Sequence, residues 1–124
     1  MMYRGHDEKA LAKESLDLHW RPYARHAGTA SLIKQVEALD VNDTLTVADA
    51  LPSLGVPARI VWGADDKFQK IEYGERFAKD LGASLRRIEG GLHFTPDDHP
   101  EEIAEELYLL IETVRAQTST RQPN

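Results

Sequence analysis

Hydrophobic residues in the second half of the chain alternate between two short runs and two helical stripes. Residues 58–62 form an apolar run that stops at Gly63, as buried parallel strands do. Apolar residues four apart predict an amphipathic helix over residues 71–81, and a second strand is predicted over residues 84–88. An apolar stripe with a 3.6-residue period predicts a last helix over about residues 98–116. The order strand, helix, strand, helix predicts an α/β fold with parallel strands.

The first half of the chain has a helical pattern and no clear strand. Helices are predicted from Asp7 to about His19 and from Thr29 to Leu39, because good helix formers and apolar residues recur there at helical spacing. Residues 40–43 are predicted to form a turn, and the polar C-terminus a frayed tail. The expected parts are a helical segment over residues 1–50, a strand–helix–strand–helix unit over residues 51–116, and a disordered tail over residues 117–124.

The composition and charge of this 124-residue chain exclude several classes of binding partner. Its formal net charge of −6 and the lack of a basic stripe argue against binding to nucleic acid or to anionic membranes. Because the chain contains no cysteine, disulfides, thiolate metal ligands and a cysteine nucleophile are excluded. No signal peptide is apparent, and no stretch reaches the roughly 20 apolar residues of a membrane span. We therefore expect a soluble, cytoplasmic protein without a cofactor.

Polar residues follow each predicted strand. Residues 63–67 (Gly-Ala-Asp-Asp-Lys) come directly after the first strand, and residues 90–94 (Gly-Gly-Leu-His-Phe) come shortly after the second. The carboxyl ends of parallel strands lie at one edge of a sheet, where catalytic groups usually sit, and neighbouring strands are about 5 Å apart. A carboxylate in the first loop can therefore reach an imidazole in the second. Such a carboxylate binds one ring nitrogen and leaves the other free to act as a general base.

The two loops and their strands resemble the last third of α/β-hydrolase-fold enzymes. The matching stretches are VPARIVWGADDKF and LRRIEGGLHFTPDDHPEEI. In that family a strand ending in W/F-G-x-x-D supplies the acid of a catalytic triad, and a loop ending in G-x-H-F supplies the histidine. The resemblance implies that Asp66 is the acid and His93 the base, in the family's chain order. It also implies a partial α/β-hydrolase fold that consists of the last two parallel strands and their flanking helices.

The upstream stretch WRPYARHAGTASLIKQVEALD is similar to the end of a helical cap and the helix that returns the chain to the sheet. Haloalkane dehalogenases and epoxide hydrolases carry such a cap over the active site. The whole resemblance covers roughly residues 20–115. It implies hydrolysis of an ester, epoxide or carbon–halogen bond in a small-molecule substrate, through a covalent intermediate.

The nucleophile of that family has no counterpart in the sequence. The family places it on a sharp elbow, G-x-S-x-G or an aspartate equivalent, and Ser31, Ser53 and Ser84 lack the flanking glycines. The oxyanion-hole segment and the first six strands of the family are also missing. We therefore expect a truncated or split gene product whose nucleophile comes from a complementing chain. The alternative is a non-catalytic fragment that associates with itself or another protein through an exposed strand edge.

Several of these residues have simpler interpretations. Asp65 and Asp66 are suited to a turn after a strand, because aspartate favours turns, and His93 would then be an ordinary loop histidine. Trp20 and Tyr23 either line a substrate pocket under the cap or, more simply, pack a helix end.

A metal site is the other interpretation of the histidine loop. His93, Asp97, Asp98 and His99 are residue types that bind metals. However, Asp98 with Glu101 three residues later forms a capping-box-like start for the last helix, which explains the segment without a metal. We therefore predict no metal. The remaining histidines lie in polar surroundings and are predicted to face solvent: His6, His19 and His26.

Overall fold

The computed structural model describes residues 5–7, 9–24 and 28–120. Within these residues, helices precede and follow two short strands. The elements are α1 (Lys9–Trp20), α2 (Gly28–Glu37), α3 (Val41–Ala48), a 3₁₀ turn (Leu51–Ser53), β1 (Arg59–Gly63), α4 (Ile71–Leu81), β2 (Ser84–Ile88), α5 (Thr95–Asp98) and α6 (Pro100–Thr120). His26 and residues 121–124 of the predicted tail lie outside the described residues.

The strands β1 and β2 form a two-stranded parallel sheet. Their register pairs Arg59 with Ser84 at one end and Gly63 with Ile88 at the other. Both strands begin and end within one residue of their predicted bounds. The prediction of a mixed α/β chain with two parallel strands is therefore confirmed.

Helix α4 connects the two strands and packs against β1. Its contact with the sheet requires a residue without a side chain, since a Cβ atom at Gly74 would lie 2.8 Å from the ring of Trp62. The indole Nε1–H donates to the carbonyl oxygen of Gln69 over 2.7 Å, which fixes the ring. The helix ends at Gly82, whose φ of 61° is the left-handed conformation expected of a glycine C-cap.

Helix α6 packs against β1, and charged side chains join it to both strands. Arg59 of β1 donates to the buried carboxylate of Glu106, and Arg86 of β2 donates to Glu105 over 2.6 Å. The helix extends to Thr120, four residues beyond its predicted end. The predicted tail therefore does not begin at residue 117, because residues 117–120 continue the helix.

The described residues of the first half of the chain are mainly helical and contain one helix more than the sequence pattern indicated. Residues 41–48 form α3 where a turn was predicted. Asp40 is its N-cap, and its Oδ1 accepts a hydrogen bond from Asn42 N over 2.8 Å. Neither α2 nor α3 has a buried residue. None of the helices in the described part of the chain is long and apolar enough to cross a membrane.

The hydrophobic core of the described residues is small. Its buried apolar residues are Ala12, Ala78 and Ile88. Many large apolar residues are exposed instead, and they include Leu39, Val41, Leu45, Leu107 and Tyr108. Exposure of this extent is unusual for an isolated soluble domain.

Candidate active site

The loops that follow β1 and β2 contact each other directly. The N–H of Asp65 donates to the carbonyl oxygen of Gly91 over 3.0 Å. A Cβ atom at Gly63 would lie 2.3 Å from the carbonyl oxygen of Leu92, so this approach of the two backbones requires glycine. Parallel pairing up to residues 63 and 88 brings the two loops to the same edge of the sheet.

Asp66 lies at this edge with its carboxylate buried. Its side chain is 5% exposed. Oδ1 accepts hydrogen bonds from the backbone N–H groups of Phe68 (2.7 Å) and Gln69 (3.1 Å). Oδ2 lies 2.9 Å from Nδ1 of His93. The carboxylate is thus held from both sides, and only Oδ2 is left for the histidine.

The surroundings of Asp66 keep it ionised at neutral pH. Burial alone would raise its pKa, but the hydrogen bond from His93, the two backbone N–H donors and the charge of the imidazole together lower it below the usual aspartate value. An ionised carboxylate only accepts hydrogen bonds. The proton in the bond of 2.9 Å therefore belongs to Nδ1 of His93.

The imidazole of His93 lies between two phenyl rings. The rings of Phe68 and Phe94 are tilted by 75° and 86° from the plane of the imidazole, and their centroids lie 5.6 and 5.3 Å from its centroid. Its side chain is 22% exposed. Among residues 5–7, 9–24 and 28–120, no hydrogen-bond partner contacts Nε2 of His93. With Nδ1 protonated, this second nitrogen carries a free lone pair.

A pocket of about 190 Å³ adjoins the pair of Asp66 and His93. Its walls come from β1 and from both loops. Thr95 also lines it, but the Thr95 hydroxyl donates to the carbonyl oxygen of Leu92 over 2.8 Å. Gln69 supplies a further polar side chain. The pocket therefore combines an imidazole, a carboxylate and apolar walls, and its volume is below the roughly 300–1,000 Å³ of most small-molecule sites.

A part of the site that sequence patterns did not indicate comes from residues 5–7. His6 was predicted to face solvent and is instead 5% exposed. Its ring stacks on Phe94 with centroids 4.4 Å apart, and its Nδ1–H donates to Oδ1 of Asp98 over 2.7 Å. The prediction was wrong because these contacts join residues 88 to 92 positions apart, and no local pattern signals them. His19 is exposed, as predicted.

Asp98 does not cap α6, contrary to the prediction from sequence. It is the last residue of α5, and its carboxylate accepts from Nδ1 of His6 and from the backbone N–H of Asp7 (2.9 Å). Helix α6 begins two residues later, at Pro100. The capping-box spacing is present, but the distant N-terminal donors occupy the oxygen atoms that a cap would use.

His99 lies between two carboxylates. Nε2 bonds to Oδ2 of Asp7, and Nδ1 lies 3.5 Å from Oε1 of Glu102. Partial burial lowers the pKa of His99, but the hydrogen bond and charge of Asp7, together with Glu102, outweigh this and raise the pKa above its ordinary value. In the described part of the chain, no three histidine or acidic side chains are arranged to hold a metal ion.

The aromatic residues considered for a substrate pocket lie elsewhere. Trp20 ends α1, and its ring centroid is 6.4 Å from that of Tyr23. Neither residue lines the pocket beside His93. Their mutual contact at a helix end agrees with the simpler of the two interpretations.

Comparison with known proteins gives a distant relative. No protein-family model matches the chain, and no solved structure matches it significantly. The chain is similar to a curated protein of Bacillus subtilis (strain 168) with the name "Uncharacterized hydrolase YugF". The two are 24% identical over 103 residues, which make up 82% of this chain and 37% of the relative. The chain thus spans little more than a third of the length of that protein.

Proposed function

We propose that this chain contributes the acid and the base of a hydrolase of the α/β-hydrolase type, with Asp66 as the acid and His93 as the base. The observation that carries the proposal is the bond of 2.9 Å between Nδ1 of His93 and a buried, ionised carboxylate. The similarity to a protein with the name of a hydrolase supports the same reaction class. The substrate would be a small molecule with an ester, epoxide or carbon–halogen bond.

The proposed chemistry follows from where the proton lies. Asp66 holds the proton of His93 on Nδ1, so Nε2 can accept a proton from a hydroxyl group or a water molecule. The imidazolium formed in that step is stabilised by the carboxylate of Asp66 over one hydrogen bond. If the nucleophile is a hydroxyl group, His93 gives its proton to the leaving group as the covalent intermediate forms. His93 then takes a proton from the water molecule that attacks this intermediate and returns it to the nucleophile as the bond to the enzyme breaks. If the nucleophile is a carboxylate, it attacks without losing a proton, and His93 acts only on the attacking water molecule.

The nucleophile is proposed to come from polypeptide other than the described residues. Thr95 is the hydroxyl-bearing residue in the pocket, and its proton is already donated to Leu92. Ser84 starts β2, at the end of the strand opposite to His93. In the described structure, no serine or threonine hydroxyl bonds to Nε2 of His93.

A complementing chain, or a second copy of this chain, is the proposed partner. The sheet has two strands, so the outer edges of β1 and β2 are open among the described residues. Unpaired strand edges bind further strands readily. The helices of residues 1–50 would correspond to the end of a cap, and the exposed apolar residues of α2 and α3 support burial against a partner chain.

Reconstitution of ester hydrolysis tests this function. The full chain is assayed with p-nitrophenyl esters, alone and after co-expression with the product of the reading frame directly upstream. We expect turnover only in the co-expressed sample, and its loss in the variants Asp66→Ala and His93→Ala. His19→Ala is the matched control, because His19 is exposed and, among the described residues, its ring bonds only to Ser15 within α1. Turnover by the chain alone that His93→Ala abolishes would contradict an external nucleophile, and turnover that survives His93→Ala would contradict the proposed base.

A non-catalytic, self-associating module is the second candidate. The small core and the many exposed apolar residues favour it, because such surfaces are rarely left in water. Size-exclusion chromatography with light scattering distinguishes the candidates. A stable homodimer without esterase activity in any co-expressed sample would favour the module.

A further inference from the structure

We propose that the N-terminal segment, defined as residues 5–7, is a positioning element for His93. This proposal rests on the proposed role of His93 as general base. The loop that carries His93 has left the sheet, since strand pairing ends at residue 88. The orientation of the imidazole therefore depends on what holds the backbone on either side of it.

Residues 5–7 hold the backbone on both sides of His93. The N–H of Leu92 donates to Oδ1 of Asp7 over 3.0 Å. The N–H of Phe94 donates to the carbonyl oxygen of Gly5 over 2.8 Å. The two amides that flank the proposed base thus have acceptors in one segment, 85 and 89 residues away along the chain.

The same segment is anchored beyond the loop. Its His6 bonds to Asp98 at the end of α5, and the side chains of this pair are 0% and 2% exposed. Asp7 bonds to His99 through Oδ2 and to Asp98 through its backbone N–H. The segment therefore connects the loop of His93 to the start of α6. Breaking the connection is costly, because it would leave buried polar groups of His6 and Asp98 without a hydrogen bond.

Aromatic contacts extend the connection to the imidazole itself. The ring of His6 lies nearly parallel to that of Phe94, with an angle of 12° and centroids 4.4 Å apart. Phe94 in turn meets the ring of His93 edge to face. A Cβ atom at Gly5 would lie 2.8 Å from the ring of Phe94 and 3.1 Å from Cβ of His93. The absence of a side chain at Gly5 is thus a condition for this packing.

These contacts would help to maintain the hydrogen bond between His93 and Asp66. The Nδ1 bond to Asp66 is the one polar contact that the imidazole makes with the described residues, and a loop shift of about 1 Å would break its geometry. Supporting bonds to the flanking backbone limit such shifts. Asp7 and Gly5 would therefore act through His93 without contact to the substrate.

Hydrogen exchange and histidine NMR on the full chain test the proposal. In Asp7→Ala we expect the Leu92 amide to exchange about 10- to 100-fold faster, as for loss of a hydrogen bond to a charged group. We also expect the Nδ1–H resonance of His93 to broaden or disappear. Asp17→Ala is the matched control, because Asp17 is exposed and, among the residues that the structure describes, pairs only with Lys13 on α1. It should change neither signal. Amides of α6 report whether the fold is intact.

Unchanged exchange at Leu92 together with an unchanged His93 resonance in Asp7→Ala would overturn the positioning role. If Asp7→Ala does not fold, Gly5→Ala decides, because its added methyl group displaces Phe94 and leaves Asp7 in place. Faster exchange at Phe94 and a shifted His93 signal support the proposal, and wild-type values for both refute it. A wild-type protein that lacks the Nδ1–H signal but protects Leu92 and Phe94 would instead refute the proposed function.

Discussion

Truncation of Asp66 should destabilise the protein far more than truncation of its neighbour. The Asp66 carboxylate is buried and accepts three hydrogen bonds, two from backbone N–H groups and one from His93. Each is worth about 1 kcal/mol net, and more for a charged acceptor. Asp66→Ala should therefore lower the free energy of unfolding by about 2–4 kcal/mol. Asp66→Asn keeps an oxygen for the two backbone donors, so we expect about half of that loss.

Urea unfolding followed by far-UV circular dichroism measures these differences. Asp65→Ala is the matched control, because Asp65 is exposed and its carboxylate makes no hydrogen bond or ion pair with the described residues. It should change the free energy of unfolding by no more than about 0.5 kcal/mol. Equal effects of Asp65→Ala and Asp66→Ala would refute the assignment of the buried acceptor to Asp66.

The same variants should respond differently to acid. The pKa of Asp66 is lowered in the folded protein, so its ionised form stabilises the fold above the pKa of the unfolded chain, about 3.8. This stabilisation is lost as the pH falls through the lower, folded pKa. The difference in free energy of unfolding between wild type and Asp66→Asn should therefore be constant near neutrality and shrink only below about pH 3.8. A difference that already shrinks between about pH 7 and pH 5 would contradict a lowered pKa.

Two further predictions concern other parts of the fold. Asp7 raises the pKa of His99, so their pairing stabilises the fold below the ordinary histidine pKa of 6.5. This stabilisation is lost as the pH rises through the higher pKa of the folded protein. Urea unfolding of wild type and Asp7→Asn over this pH range checks the prediction, and a difference in free energy of unfolding that grows with pH would contradict it. Gly74→Ala should destabilise the protein by about 1–2 kcal/mol, because the added Cβ would meet the ring of Trp62 at 2.8 Å. Helix propensity alone would instead stabilise the variant by up to about 1 kcal/mol. Thermal unfolding distinguishes the two effects, because a clash with Trp62 lowers the unfolding temperature and helix propensity alone would raise it.

Elements with a strong local pattern could be predicted from the sequence. Helix α4 and strand β2 have their predicted bounds, because four-residue spacing, strand-length apolar runs and the glycine at position 82 are all local signals. The bond between Asp66 and His93 also agrees with expectation, since parallel strands place their following loops at one edge. The catalytic role of this pair stays a prediction.

Elements with an ambiguous local signal, or with contacts to distant parts of the chain, could not be predicted. The side chain of Asp40 caps α3 and does not form the predicted turn, because turns and helix N-caps favour the same residue types. His6 is polar and sits among polar neighbours in the sequence, yet a stack on Phe94 and a bond to Asp98 bury it. Asp98 had a local explanation as a helix cap that its bonds to residues 6 and 7 override.

The protonation of His93 is the most direct test of the central claim, that a buried carboxylate fixes its tautomer. Long-range ¹H–¹⁵N spectra of ¹⁵N-histidine-labelled protein at about pH 8, where an ordinary imidazole is neutral, report which ring nitrogen carries the proton. We expect the proton on Nδ1 and a bare Nε2, with this preference lost in Asp66→Ala and kept in Asp65→Ala. A proton on Nε2 in the wild-type protein would contradict the account. A proton that stays on Nδ1 to the same extent in Asp66→Ala would also contradict it.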